Sequence, residues 1–390
     1  MNRKAVISKV NNGTAYAVFY DDKAVKAQIF YNDEKNILGN IYVGYVKDIV
    51  KNINCAFIEY SNGSKAYLQL SGKLRPVFLN VKNTGKLCQG DRIIIQIKKE
   101  ASKTKDPVCT TAFELTGKYA VLTHGGSGIS FSKKIKDEAF KEEISSLLNN
   151  IYKNREYGIL IRTKSCNTDI SNIIDEISSL SSEYEKLISI AGTRPKNYIL
   201  KEADNPLMTS VKDFYISDKD QIITDIEDIY NQIKDIGLNC SVTLYYDKLL
   251  PLYKLYSFES LFSQISSRRV WLKSGGYIVI DYTEAMTVID VNTGKCDKGK
   301  DKEKTFLKIN LEAAEEIARQ LSLRNISGII IVDFIDMTEN ENRKKILDAM
   351  KEYAAKDSIS TNVIDFTKLN LMEITRKKTR DMVKVRDNIF

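Results

Sequence analysis

Residues 277–294 read YIVIDYTEAMTVIDVNTG, and residues 328–337 read GIIIVDFIDM. The first stretch contains two β-rich runs joined by a short turn, and the second contains one apolar run of buried-strand type. Two of these runs end in aspartate, at Asp290 and Asp333. The pattern predicts three strands, with carboxylates at the ends of strands that can lie side by side.

Helices are predicted between and after these strands. Apolar residues recur every three or four positions from Leu307 to Leu321, which predicts a helix over about 304–323 with one apolar face. A second helix is predicted over about 339–354, where residues 338–341 form a capping-box pattern. Strand–helix–strand–helix order predicts an α/β layered domain.

Shorter β-rich runs fill the first hundred residues, separated by turns at even spacing. Several short strands of this kind are typical of a small barrel. The predicted strands lie at 15–20, 25–30, 39–46, 56–60, 65–68 and 92–97. Further along, helices are predicted at 137–151, 169–188 and 220–236, and strands at 157–162 and 241–246.

Composition narrows the class of protein. The 390 residues suffice for roughly two to four domains, and 43% hydrophobic with 28% charged residues excludes a mainly disordered chain. A net charge of +8 is compatible with a nucleic-acid partner, but by itself it is more typical of an ordinary solvated surface. The longest apolar runs are far shorter than the roughly 20 residues of a membrane span. We therefore expect a cytoplasmic protein without a transmembrane segment or signal peptide.

Histidine and cysteine usage limits the chemistry. The chain has one histidine, His124, and six cysteines without a C-x-x-C pair. This excludes mechanisms that need two histidines, a three-histidine zinc site and a zinc ribbon. An enzyme of this composition would depend on carboxylates with a hard metal ion, or on Lys, Tyr or Cys.

Asp290 and Asp333 are candidate metal ligands. Mg²⁺ prefers oxygen ligands, and it is usually held by one or two carboxylates, waters and substrate phosphate oxygens. Such an ion activates water and stabilises charge on a phosphate. The alternative is that each aspartate caps a turn or helix, an interpretation that applies best to Asp336, just before the second helix.

Basic residues surround these aspartates in the sequence. Arg268 and Arg269 precede the single tryptophan, Trp271. One further basic group follows Asp290, and another occupies the C-terminal segment. The two groups are Lys295, Lys298, Lys300, Lys302 and Lys304, and Arg376, Lys377, Lys378, Arg380, Lys384 and Arg386. They would flank a bound polyanion, or else form ordinary solvated surface.

The predicted barrel offers Phe57 and Tyr67 on neighbouring strands, with Lys105 in a later loop. Aromatic side chains on an OB barrel stack on splayed bases, and a nearby lysine binds phosphate. The alternative is that both rings belong to the core. Strand periodicity does not decide which face Phe57 occupies.

Four long motifs, in this order along the chain, resemble the ribonuclease E/G family. They are residues 268–276 (RRVWLKSGG), 283–294 (TEAMTVIDVNTG), 310–321 (NLEAAEEIARQL) and 328–337. The resemblance runs collinearly along essentially the whole chain, and it includes 39–42 (GNIY), 56–58 (AFI) and 372–377 (MEITRK).

This resemblance implies an endoribonuclease that cleaves single-stranded, A/U-rich RNA in RNA processing and decay. It implies Mg²⁺ held by Asp290 and Asp333, with Asn292 supporting the site through a hydrogen bond. Water would attack the scissile phosphate and leave a 5′-phosphate and a 3′-hydroxyl.

The resemblance also implies a multidomain fold of α+β and α/β class. An RNase H-like domain would comprise residues 1–37 plus 205–270, with an OB-fold RNA-binding domain at 38–115 and a 5′-sensor domain at 116–204 inserted into it. A DNase I-like α/β catalytic domain would follow at 271–390.

The positions that match the family's sensor for an RNA 5′-monophosphate are Gly117, Val121, Arg162 and Thr163. An arginine fork with a threonine hydroxyl and backbone groups suits a terminal phosphate. Without the family, Arg162 and Thr163 would be interpreted as ordinary residues at a strand end.

The chain departs from the family pattern in three places. It contains no Cys-Pro-x-Cys stretch, so we expect no zinc site in this chain, and a homo-oligomer would need other contacts. Residues 357–361 lack the arginine that often adds to the sensor, and residues 369–371 replace a usual glycine turn. Two alternatives to the enzyme stay open: a weak or inactive RNA-binding member of the family, and a phosphodiesterase directed at DNA.

Overall fold

The structure is a computed structural model that describes residues 3–33, 36–70, 75–80, 85–101, 105–152, 155–215, 217–294 and 302–390. The chain divides into two compact units, residues 1–35 with 206–390, and residues 36–205. The first unit is therefore discontinuous in sequence, and the second is inserted into it.

The described part of the chain contains eight α-helices. They are α1 (Glu138–Ile151), α2 (Ile170–Thr193), α3 (Pro206–Phe214), α4 (Glu227–Asp235), α5 (Leu252–Leu255), α6 (Phe258–Ser266), α7 (Lys302–Leu323) and α8 (Asn340–Ala355). None of these helices is long and apolar enough to cross a bilayer.

Strands account for most of the remaining regular structure. They are β1 (Arg3–Val10), β2 (Gly13–Tyr20), β3 (Lys23–Tyr31), β4 (Ile41–Val50), β5 (Cys55–Ser61), β6 (Ser64–Gln69), β7 (Arg92–Lys99), β8 (Val108–Thr110), β9 (Glu114–Thr116), β10 (Ala120–His124), β11 (Ile129–Phe131), β12 (Tyr157–Ile161), β13 (Ile199–Lys201), β14 (Gln221–Thr224), β15 (Ser241–Leu244), β16 (Arg269–Trp271), β17 (Tyr277–Tyr282), β18 (Met286–Asn292), β19 (Gly328–Asp333), β20 (Thr361–Phe366) and β21 (Leu371–Arg376).

The discontinuous unit contains two sheets, and the first has the order β15-β14-β1-β2-β3. The strands β15, β14 and β1 run parallel, and β2 and β3 continue the sheet antiparallel. Helices cover both faces: Ile7 of β1 packs in one cluster with α3 and α4, and Val6 packs in another with α6. The helix predicted over 220–236 is therefore wrong in its first part, because Gln221–Thr224 forms a central strand.

The second sheet of this unit has the order β16-β17-β18-β19-β21-β20. Buried and exposed side chains alternate along its strands, so that one face of the sheet is buried against α7 and α8 and the opposite face is open. The buried face carries Ile278, Ile280, Ile289, Val291, Ile330 and Val332. The predicted layered α/β arrangement is confirmed.

The start of α8 differs from the prediction. Its N-cap, Glu339, makes no side-chain capping bond. The carboxylate of Glu303 in α7 instead accepts bonds from the hydroxyl of Thr338, at 2.9 Å, and from the backbone N–H groups of Thr338 and Glu339. The expected capping box is therefore wrong, because a residue from another helix supplies the acceptor.

The inserted unit begins with a closed five-stranded barrel, which confirms the predicted small OB-like barrel. Its strands follow the order β4-β5-β6-β8-β7, and the ring closes through β7 and β4. The short strand β13 also pairs with the start of β4. The barrel interior is filled by apolar side chains such as Val46, Ile58, Leu68 and Ile95.

A four-stranded sheet with the order β11-β12-β10-β9 follows the barrel in the same unit. Its apolar face packs with α1 and α2. The single histidine lies in this core, where His124 stacks on Phe113 with ring centroids 5.0 Å apart. The Nε2 of His124 donates to the Arg75 carbonyl at 2.7 Å, so Nδ1 accepts from the Tyr184 hydroxyl at 2.6 Å. His124 is thus a core residue whose two ring nitrogens both have hydrogen-bond partners.

Candidate functional site

Asp290 and Asp333 lie side by side on the open face of the second sheet. The strands β18 and β19 are parallel neighbours, and the two aspartates are register partners at their carboxyl ends. Both side chains are exposed, whereas their neighbours Ile289 and Val332 point to the buried face. The alternating pattern that predicts the strands therefore also places both acids on one surface.

Hydrogen bonding and charge distinguish the two acids. Asn292, two residues after Asp290 and on the same face, donates from Nδ2 to its Oδ2 at 2.7 Å. This bond orients one carboxylate. Partial burial, together with the nearby charges of Asp290 and Asp336, raises the pKa of Asp333 above its usual value.

The donor set fits a hard divalent cation. Two neighbouring carboxylates carry like charges that repel each other, and a cation between them removes this repulsion. Among the described residues, no group of three or more His, Cys, Asp or Glu side chains is arranged to hold a metal. A pair of carboxylates is sufficient for Mg²⁺, which keeps several waters and takes further oxygens from a substrate phosphate.

Two glycines allow the chain to pass closely beside this pair. Gly294 has a left-handed φ of +58°, and a Cβ there would lie 2.2 Å from the carbonyl oxygen of Gly275. A Cβ at Gly276 would lie 2.9 Å from the carbonyl oxygen of Asn292. Only glycine fits both positions without displacing backbone, which explains these residues in the two motifs.

Polar side chains of α7 fix the loops around the open face. Asn310 is fully buried, and its amide both donates to and accepts from the backbone of Ile335, at 2.8 and 3.0 Å. Glu312 accepts from the backbone N–H of Ser274 at 3.1 Å in the β16–β17 turn. Sequence reasoning missed both roles, because nothing in the sequence links Asn310 to a partner 25 positions away.

In the barrel, Phe57 and Tyr67 face outward. They are register partners on β5 and β6, their ring centroids are 6.2 Å apart, and both are half-buried. The adjacent Ile58 and Leu68 fill the interior. Lys105 is exposed, two residues before Pro107, whose carbonyl accepts from the Tyr67 N–H at 2.7 Å. The rings are thus available at the barrel surface.

The four predicted sensor residues lie near one end of the paired strands β10 and β12. Arg162 donates from its guanidinium to the Gly117 carbonyl at 2.6 Å, so these two residues are brought together. Val121 pairs with Leu160 across the two strands. Thr163 donates to the Ser132 hydroxyl at 3.0 Å.

A carboxylate holds the turn that presents Gly117. Glu176 of α2 accepts from three consecutive backbone N–H groups, those of Lys118, Tyr119 and Ala120, at 2.7 to 2.9 Å. A Cβ at Gly117 would lie 2.3 Å from an oxygen of this carboxylate. A larger residue at 117 would therefore displace this carboxylate, and Glu176 is a supporting residue that sequence reasoning did not identify.

The predicted basic flanks are only partly available to a polyanion. Lys295, Lys298 and Lys300 lie outside the described residues. Arg376 is only 2% exposed, and its Nε donates to Asp357 at 2.7 Å. Arg386 pairs with Asp33 at 2.8 Å. Both arginines therefore have carboxylate partners within the protein, and the role of the C-terminal segment as a basic flank stays a prediction.

Comparison with known proteins gives the class to which this fold and site belong. The model of the Ribonuclease E/G family matches residues 114–379. Ribonuclease G of Escherichia coli is 30% identical over 385 residues, which cover 94% of this chain and 78% of that protein. Ribonuclease E of Nostoc sp. is 30% identical over 373 residues, covering 93% of this chain and 54% of that protein.

A third relative, Ribonuclease G of Haemophilus influenzae, is 30% identical over 368 residues, covering 90% of this chain and 74% of that protein. The chain belongs to the ribonuclease E/G family, which confirms the resemblance drawn from its motifs.

Proposed function

We propose that this protein is a magnesium-dependent endoribonuclease that cleaves single-stranded, A/U-rich RNA during RNA processing and decay in the cytoplasm. Its products would be a 5′-phosphate and a 3′-hydroxyl. Membership of a family whose relatives are named ribonucleases supports the substrate class. The observation that carries the reaction type is the pairing of Asp290 with Asp333 on an open sheet face.

In this proposal Asp290 and Asp333 hold the metal ion, and Asn292 keeps the Asp290 carboxylate in one orientation. Bound there, Mg²⁺ supplies an activated water and stabilises negative charge on the phosphate. The absence of a second histidine agrees with a reaction that does not use an imidazole pair as acid and base. Asn310 maintains the backbone that follows Asp333.

The inserted unit would bind the RNA. The outward rings of Phe57 and Tyr67 offer stacking surface for bases, and the exposed Lys105 offers charge for the backbone. Arg162 and Thr163, with Gly117 and Val121, would recognise a 5′-monophosphate. This assigns the OB-fold region at 38–115 to binding, the region at 116–204 to sensing, the α/β region at 271–390 to cleavage, and the region at 1–37 plus 205–270 to an RNase H-like support.

The direct test is cleavage of matched RNA and DNA oligomers of the same A/U-rich sequence. We expect cutting of the RNA alone, loss of cutting with a chelator, and recovery when Mg²⁺ is added. Mass spectrometry of the fragments identifies the end groups. Binding of RNA without cutting under all divalent ions would favour the inactive RNA-binding alternative, and equal cutting of DNA would favour the DNA-directed one.

A further inference from the structure

The open face that carries the acid pair continues across the sheet to a cluster of aromatic and basic side chains. Register partners share a face, so Asn292, Tyr277 and Trp271 form one row across β18, β17 and β16. The adjacent row runs from Asp333 and Asp290 through Val279 to Arg269. We call Arg269, Trp271 and Tyr277 the aromatic platform.

The platform is built from direct contacts. The rings of Trp271 and Tyr277 lie edge to face, with centroids 5.2 Å apart. The guanidinium of Arg269 lies 4.5 Å from the centroid of Tyr277 and 5.7 Å from that of Trp271. These contacts fix the rings and keep a positive charge beside them.

Trp271 is nevertheless 62% exposed. The residue between it and Arg269, Val270, packs against the core, so the strand turns its small apolar side chain inward and its tryptophan outward. The strand β16 is an edge strand of the sheet, and the indole is exposed to solvent there. A planar ligand can therefore reach the indole.

The turn after Trp271 is held in place from behind the sheet. Glu312 of α7 accepts from the Ser274 N–H at 3.1 Å, and the close approach at Gly275 and Gly294 joins this turn to the end of β18. The platform and the acid pair are thus parts of one rigid surface, with Trp271 two strands away from Asn292, or about 10 Å.

We propose that the aromatic platform is a base-stacking subsite, on which a nucleobase next to the scissile phosphate stacks against Trp271 while Arg269 faces the neighbouring phosphate. This rests on the proposed function of the acid pair. Stacking on an aromatic side chain is independent of base identity. The continuity of the platform with the acid pair on one sheet face favours an RNA occupant over a protein partner.

The single tryptophan of the chain allows a direct measurement, because all indole emission comes from Trp271. The full chain carrying Asp333→Asn is titrated with a short A/U-rich RNA labelled at its 5′ end. Anisotropy of the label reports all binding, and tryptophan emission reports contact at the platform. We expect quenching of the emission on binding, and its loss when one nucleotide beside the cleavage position is replaced by an abasic one.

Variants in the otherwise unsubstituted chain provide the second measurement. Trp271→Ala should weaken RNA binding by about 5- to 100-fold, with kcat/KM falling in parallel, whereas Trp271→Phe should retain most of both. Tyr246→Ala is the matched control, because Tyr246 is 81% exposed in the same unit and lies outside the platform. It should bind and cut like the parent.

The outcomes separate this inference from the proposed function. If labelled RNA binds and the parent cuts it, but emission is unchanged and Trp271→Ala behaves as the parent, the platform is not a subsite and the proposed function stands. If emission instead changes with protein concentration in the absence of RNA, a second copy covers the indole and the inference is wrong. If the parent neither binds nor cuts RNA, the proposed function itself fails.

Discussion

Replacing Asp333 with asparagine should lower the cleavage activity and slightly raise the stability of the metal-free protein. The change keeps the shape of the side chain but removes one charged oxygen ligand. Losing a metal contact of this kind should cost about 3–4 kcal/mol of transition-state stabilisation, so kcat/KM should fall about 100- to 1000-fold. RNA affinity should stay within about tenfold, because most of it comes from phosphate contacts elsewhere.

Without metal, the same variant should be slightly more stable than the parent. Adjacent strands lie about 4.8 Å apart, and two unit charges at about 5 Å in water repel by about 0.8 kcal/mol. Both carboxylates are exposed, so salt reduces this to about half. For a unit of this size, removing the repulsion should raise Tm by about 1 °C.

The assay measures cleavage kinetics in Mg²⁺ and thermal unfolding in chelator, for the parent, Asp333→Asn and Asp336→Asn. Asp336 is the matched control because it is an exposed carboxylate three residues further on, whose Oδ1 accepts from Asn370 at 3.4 Å. Its charge acts on Asp333 without belonging to the acid pair, so its cleavage rate should stay much closer to that of the parent than the rate of Asp333→Asn. Cleavage by Asp333→Asn at the parent rate would refute the metal site. A lowered Tm would instead indicate that Asp333 has a structural role.

Three further outcomes are expected. Phe57→Ala or Tyr67→Ala should each weaken single-stranded RNA binding by about 1–3 kcal/mol with little change in Tm, since both rings face outward; a lowered Tm with unchanged binding would contradict this. Arg162→Ala should slow cleavage of 5′-monophosphorylated RNA through a loss of about 1.5–3 kcal/mol of transition-state stabilisation, and cleavage of 5′-hydroxyl RNA should be unchanged. Kinetics on two oligomers that differ only at the 5′ group would check this. Burial lowers the pKa of His124 in the folded protein, so the unfolded chain binds a proton on this imidazole more readily. The free energy of unfolding should therefore decrease as the pH falls below about 6.5. An imidazole NMR signal of the folded protein that titrates at the ordinary value would contradict this.

The elements around the acid pair could be predicted because their patterns are local. Period-two alternation in β17 and β18 and the three-to-four spacing in α7 arise from one buried face each. The same rule failed at β14, where Ile222, Ile226, Ile229 and Ile233 imitate a helical stripe. Pairing with β1 and β15 overrides this pattern and makes residues 221–224 a strand.

Features that depend on distant partners could not be predicted. The face of Phe57 was undecided because its neighbours on both sides, Ala56 and Ile58, are also apolar. The charge of Arg376 does not reveal Asp357, its partner in a buried ion pair. The cap that Glu303 provides for α8 arises only after two helices have packed together.

The discontinuous first unit has a consequence for the order of folding during synthesis. The strand β1 pairs with β14, so its parallel edge stays unprotected until residue 224 has emerged from the ribosome. By then the whole inserted unit, residues 36–205, is available to fold as a unit of its own. The sheet that carries Asp290 and Asp333 is completed last, since β21 ends at Arg376. A ribosome stalled before that point would carry a folded inserted unit, together with an acid pair whose own sheet still lacks a strand.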